Sequence, residues 1–168
     1  EITENDDQKI FKNNFKGMEK AYQGPLPWEN NDQFQAALAE LPGAKLMAAY
    51  KVLLPEPTEG EESNIALAVK KLAGTVVKPG ETFSYNNTVG PFTEYHGFQK
   101  GSGFVGNRIV TMTGGGVCKV ASVLYNAVTF CDLPIIMHST HSMTVPYVPP
   151  GQDATVCYGA KDLRFLNN

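Results

Sequence analysis

Between Val117 and Cys131, apolar residues fall at positions 117, 120, 121, 124, 127, 128 and 131. This i, i+3, i+4 recurrence describes a helix with a single apolar stripe. The rest of the chain is arranged around it. Ile10, Phe11, Phe15, Met18 and Tyr22 predict a first helix from about Asn5, stopped by Gly24-Pro25. Asn31 or Asp32 caps a short second one with Phe34, Ala37, Leu38 and Leu41 inward, ended by Pro42-Gly43. Lys45 to Leu54 reads as a strand and Pro55 to Glu62 as a solvated acidic loop. Ser63 then caps a helix to Leu72, and a turn leads into an extended run over Glu81 to Asn86. Within the glycine-rich stretch 90–116, Phe104-Val105 and Arg108 to Met112 are short strands. After the breaker Asp132-Leu-Pro134, strand-like alternation returns in Ile135 to Val148, Asp153 to Tyr158 and Lys161 to Leu166.

The pattern predicts an α+β fold, with N-terminal helices followed by a mainly antiparallel sheet packed against a central helix that starts at the GGGVC motif. We divide it into an N-terminal portion, 1–60, and a main portion, 61–168, forming one compact unit. At 168 residues and 42% hydrophobic, the chain can bury a full core. A net charge of −3 supplies no basic footprint for nucleic acid. No apolar run reaches the length of a membrane span, and none has the form of a signal peptide. A start at Glu1 rather than Met suits a processed product. The three cysteines include no CxxC pair, so no structural zinc site and no cofactor is expected. Cys131 lies on the apolar stripe as a core residue; a Cys131–Cys157 bridge is the alternative.

Candidate chemistry centres on Cys118, in the first turn of the central helix. Unpaired N–H groups and the positive end of the helix dipole favour thiolate there, and thiolate is the nucleophile. Against this stands the plain reading of a packed structural cysteine. A thiolate mechanism needs a base, and a histidine base needs an orienting group. His141, placed by strand alternation on one face with Met143, Val145 and Tyr147, is the candidate base, and Asp153 the candidate carboxylate. Each also has a structural reading, as a core histidine and as a turn cap. His138 is the second choice for the base, and His96 belongs to a polar loop. The N–H groups of Gly115, Gly116 and Val117 are candidates for an oxyanion hole. Ser122 and Tyr125, stacked above Cys118, could position substrate or only bond locally. The order Cys, His, Asp resembles papain-like and transglutaminase-like cores in topology alone.

An ordered set of motifs carries a more specific resemblance. It comprises Pro79-Gly-Glu-Thr-Phe-Ser-Tyr-Asn86, Val89-Gly-Pro91, Gly114-Gly-Gly-Val-Cys118 with Leu124-Tyr-Asn-Ala127, His141-Ser142, Tyr147-Val-Pro149, Asp153-Ala-Thr-Val156 and Lys161-Asp-Leu-Arg-Phe165. From about Asn64 onward the chain resembles the VanW family, known from glycopeptide-resistance clusters and including cysteine L,D-transpeptidases. The resemblance implies that Cys118 is the nucleophile, that the partner is a peptidoglycan stem peptide, and that the protein works outside the cytoplasm at the cell wall. The family motif usually continues with Gln and paired serines after the cysteine; here Lys119 and Ala121 stand at two of those positions. Two functions follow as expectations. One is cysteine-dependent acyl transfer on peptidoglycan, and the other a non-catalytic wall-binding module.

Overall fold

A computed structural model describes residues 47–54, 56–106 and 108–168, with Asp32, Gln35, Ala36, Ala39 and Gly43. The chain divides into two compact units, Glu1–Ala44 and Lys45–Asn168. The helix expected over residues 5–22 lies outside the described residues. Of the second expected helix, Asp32, Gln35, Ala36 and Ala39 are described and helical.

In the second unit the elements run α1 (Glu59–Leu72), β1 (Thr82–Ser84), α2 (Tyr85–Val89), a 3-10 turn (Glu94–His96), β2 (Lys100–Val105), β3 (Arg108–Thr113), α3 (Val117–Phe130), β4 (Ile135–Met137) and β5 (Arg164–Leu166). The fold is α+β, as the pattern predicts. One antiparallel sheet has the order β1-β5-β4, and β2 with β3 forms a separate hairpin. The registers pair Phe83 with Phe165 and Gly101 with Met112. The buried faces meet in one core that includes Ala68, Phe83, Tyr85, Val89, Phe98, Val117, Ala121, Val128, Leu163 and Phe165.

The acidic loop expected over 55–62 is instead where α1 begins. Thr58 is the N-cap: its hydroxyl accepts from Glu61 N–H, and the Glu61 carboxylate accepts from Thr58 N–H at 2.9 Å. Threonine followed by glutamate three residues later is a capping box, and Glu59, Glu61 and Glu62 sit favourably at the positive helix end. The extended run expected over 81–86 is cut short because the Ser84 hydroxyl accepts from Asn87 N–H and starts α2. Buried Asp162 holds this corner, accepting from Ser84 Oγ at 2.7 Å, Asn86 N at 2.8 Å and Arg164 Nε at 2.7 Å.

Three expected strands differ. Residues 47–54 form no ladder; Tyr50, Val52 and Leu54 alternate inward onto a small cluster with Val145, Tyr147 and Val148. The expected strand 135–148 is a strand only over Ile135–Met137, so His141 stands on a loop and not on a strand face. Of the expected strand Asp153 to Tyr158, residues 153–156 join no ladder, Cys157 makes a single bridge with Lys161, and Tyr158 is already in a turn. Among the described residues no helix is long and apolar enough to cross a membrane.

Candidate active site

The glycines before α3 let three backbones cross at close range. A methyl on Gly115 would overlap the Gly101 carbonyl, and one on Gly101 would meet Glu61 Cγ and Gly115 O at 3.0 Å. Gly116 caps α3 at φ 101°, a left-handed angle that suits glycine. Fully buried Asn64 fixes the crossing from α1: its amide donates to Gly115 O at 2.8 Å and Gln99 O at 2.9 Å and accepts from Gln99 N at 2.7 Å. The oxyanion donors expected here are partly committed. Gly115 N–H donates to Met112 O at 3.2 Å and Val117 N–H to Gly114 O at 3.3 Å.

Three side chains on one face of α3 then bind a single extended segment. Asn126 Nδ2 donates to Gln152 O at 2.8 Å, Ser122 Oγ accepts from Ala154 N at 2.8 Å, and Cys118 Sγ accepts from Val156 N at 3.4 Å. Four helical residues rise about 6.0 Å and two extended residues about 6.6 Å. Positions 118, 122 and 126 therefore keep step with 156, 154 and 152. Ser122 is structural in this arrangement, its own proton going to Cys118 O at 2.8 Å. Cys118 Sγ also lies 3.6 Å from Val156 O and 3.8 Å from Thr155 Oγ1.

This covering changes the acidity of the thiol. Although Cys118 as a residue keeps some accessible surface, its sulfur is enclosed, and burial pushes its pKa above the ordinary value of 9.0; the bonds to Val156 and Thr155 lower it only in part. The thiolate expected from the helix dipole is therefore not the resting form. A raised folded-state value also fixes the sign of the linkage. The stability that the buried thiol contributes is full below its unfolded pKa and is lost as pH rises through the folded one. Iodoacetamide should accordingly modify exposed Cys157 first and reach Cys118 at an appreciable rate only above pH 9. Rapid labelling of Cys118 at neutral pH, located by mass spectrometry, would contradict this account. All three cysteines are free, so Cys131 and Cys157 are not bridged.

His141 and Asp153 come together although neither is on a strand. Asp153 Oδ2 accepts from His141 N at 2.6 Å and from His141 Nδ1 at 2.7 Å. Both side chains are buried, at 3% and 8% exposure, which shields the pair from solvent. With Nδ1 donating to the carboxylate, Nε2 of a neutral imidazole is left as the acceptor. The ring is edge-on to Phe104, with centroids 5.2 Å apart. Among the described residues no hydrogen bond joins Cys118 to His141. His138 does not approach the thiol: its Nε2 donates to Asp153 O at 2.7 Å, and its ring stacks on Tyr125 at 4.0 Å. His96 is half-buried at the end of the 3-10 turn, not a solvated loop side chain, and bonds Thr93 Oγ1 at 2.7 Å.

Lys119 turns away from the thiol. Its ammonium meets Glu61 Oε1 at 2.6 Å and stands 6.0 Å from the Tyr147 ring centroid. Burial alone would raise the Glu61 carboxyl, but the Lys119 and Thr58 contacts more than offset it and hold its pKa below the usual carboxylate value. These residues line a pocket of about 160 Å³ with Ser102, Phe104, Ile109 and Pro146. Tyr147 is the residue that the sequence reading placed beside His141 without giving it a role. Its hydroxyl is buried with no hydrogen-bond partner among the described residues. Burial raises its pKa, the nearby Ser122 hydroxyl lowers it in smaller part, and Cys118 and Asp153 raise it further. Through Lys119, the residue after Cys118, the Tyr147 ring stands beside the first turn of α3. Among the described residues no group of three or more His, Cys, Asp or Glu could hold a metal ion.

The family model described as VanW like protein matches residues 60–168. The chain belongs to the VanW family. It is 39% identical over 121 residues to a Bacillus subtilis (strain 168) protein called "Uncharacterized protein YoaR", covering 72% of this chain and 40% of that one. It is 32% identical over 115 residues to the Vancomycin B-type resistance protein VanW of Enterococcus faecalis (strain ATCC 700802 / V583), covering 66% and 42%. The chain thus spans about two fifths of the length of these relatives. No solved structure matches. The matched region contains Glu61, Cys118, His141, Tyr147 and Asp153, so the site just described lies wholly inside the VanW domain.

Proposed function

We propose that this VanW domain is a cysteine-dependent acyl transferase acting on peptidoglycan stem peptides, outside the cytoplasm. The observation that carries the reading is the buried His141–Asp153 pair. Asp153 is three residues from Val156, which holds the Cys118 sulfur, so one short segment positions both base and nucleophile. The similarity to a vancomycin-resistance protein supports a cell-wall substrate. In the reaction His141 accepts the Cys118 proton as sulfur attacks the peptide carbonyl, with Asp153 stabilising the imidazolium. The imidazolium then protonates the departing amine, leaving a thioester. An amine from a neighbouring stem resolves it; water in its place would make the enzyme a carboxypeptidase.

Burial of the sulfur within the helix-to-segment ladder favours a second reading, a wall-binding module in which Cys118 only packs. Incubation with purified disaccharide-tetrapeptide muropeptides, followed by intact-protein mass spectrometry, separates the two. Acyl transfer gives an adduct on Cys118 with release of one amino acid, absent after Cys118→Ala. Saturable binding without any adduct would support the module and sink the enzyme.

A further inference from the structure

We infer that the Tyr147 hydroxyl is the hydrogen-bond donor to the substrate carbonyl oxygen during acyl transfer, an inference that rests on the reading above. Three observations lead there. Tyr147 is only 7% exposed, yet its Oη has no partner among the described residues. Ser122 Oγ approaches it, but the two do not reach hydrogen-bond geometry. A buried hydroxyl that makes no bond at rest is a donor held for something absent.

The second observation is location. Tyr147 lines the pocket formed with Ser102, Phe104, Ile109, Lys119 and Pro146, and its ring centroid lies 6.0 Å from the ammonium of Lys119, the residue after Cys118. The pocket suits one small residue of a peptide, with apolar walls in Phe104, Ile109 and Pro146. The third observation is that Gly115 and Val117 N–H groups are bonded within the glycine turn. Of the three expected donors only Gly116 N–H then lacks a backbone partner among the described residues, and the neutral Tyr147 phenol supplies a second donor to the negative charge on a tetrahedral intermediate.

The step balances as follows. Cys118 sulfur forms a bond to the carbonyl carbon, and the π pair moves onto oxygen, which accepts a hydrogen bond from Tyr147 O–H without proton transfer. As the pair returns, the carbon–nitrogen bond breaks and the amine leaves with the proton that His141 took from the thiol.

Two probes of Cys118 separate this role from general reactivity. Acylation by p-nitrophenyl acetate passes through an oxyanion, whereas alkylation by iodoacetamide does not. Tyr147→Phe removes the hydroxyl alone. Ester acylation of Cys118 should fall by about 10²-fold or more, while its alkylation rate stays unchanged. The melting temperature should hold or rise, since no bond is lost and a buried hydroxyl is no longer desolvated. Equal ester acylation in both proteins would overturn the inference and leave acyl transfer standing. A lowered melting temperature would also overturn it, by showing that the hydroxyl is structural. Wild-type Cys118 inert to the ester would sink the acyl-transfer reading and this inference with it.

Discussion

Gly115→Ala should cost the domain much of its stability. The added methyl would overlap the carbonyl carbon and oxygen of Gly101 and lie 2.7 Å from Gly101 Cα, and these are backbone atoms. No rotamer change relieves such a clash, so the turn must part from β2. Overpacking a tight site usually costs about 1–3 kcal/mol and sometimes more; a backbone-on-backbone overlap belongs at the upper end. For a domain whose total stability is on the order of 5–15 kcal/mol, a loss of about 3 kcal/mol lowers the melting temperature by roughly 10 °C. The same movement would disturb Asn64, which bonds both Gly115 and Gln99, and hence the start of α3. Gly80→Ala is the control: φ is +80° there, with no neighbour within 4 Å of the added carbon. It should cost only the left-handed backbone penalty of about 1–2 kcal/mol. Circular dichroism melts of the two variants test the difference, and equal midpoints would refute the crossing account.

The central helix was legible because its apolar stripe is long and its limits are marked by glycines and by Asp132-Leu-Pro134. The strands after it were not. Residues 152–156 do run extended, as their pattern suggests, but their main chain bonds to Cys118, Ser122 and Asn126 on a helix rather than to a neighbouring strand. Period-two alternation reports which side of a segment is buried, and it is silent on what pairs with the backbone. The capping box at Thr58 and Glu61 was readable from spacing alone, yet four glutamates within seven residues made the stretch look like a solvated loop. The pairing of His141 with Asp153 could be argued from chain order, but the loop that achieves it could not. The closure over Cys118 is hidden in the sequence for a related reason. The helix end is visible in sequence, whereas the segment that closes over the sulfur comes from nearly forty residues downstream.

Asp153→Asn should abolish most acyl-transfer activity while leaving a folded protein. A single oxygen, Oδ2, receives both His141 N–H and Nδ1–H, and an asparagine carbonyl placed there can still accept the two bonds. What is lost is the negative charge that stabilises the imidazolium once His141 has taken the Cys118 proton. The requirement is sharp here, because burial keeps Cys118 protonated at rest and the base must remove that proton during the reaction. The amide can also turn its NH2 toward the ring and select the tautomer whose Nε2 carries hydrogen and cannot act as a base. Replacing the orienting aspartate of a serine protease by asparagine lowers kcat about 10⁴-fold, and a loss of about 10³–10⁴-fold is expected here. Stability should fall by only about 1–2 kcal/mol, the difference between charge-assisted and neutral bonds. Asp153→Ala would leave both His141 donors without their partner and confuse the two effects, so the asparagine variant is the informative one. Turnover of muropeptides by Asp153→Asn within about threefold of wild type would remove His141 and Asp153 from the mechanism. A binding module would show no such loss, because its affinity for wall fragments need not depend on a charge 8% exposed beneath the surface.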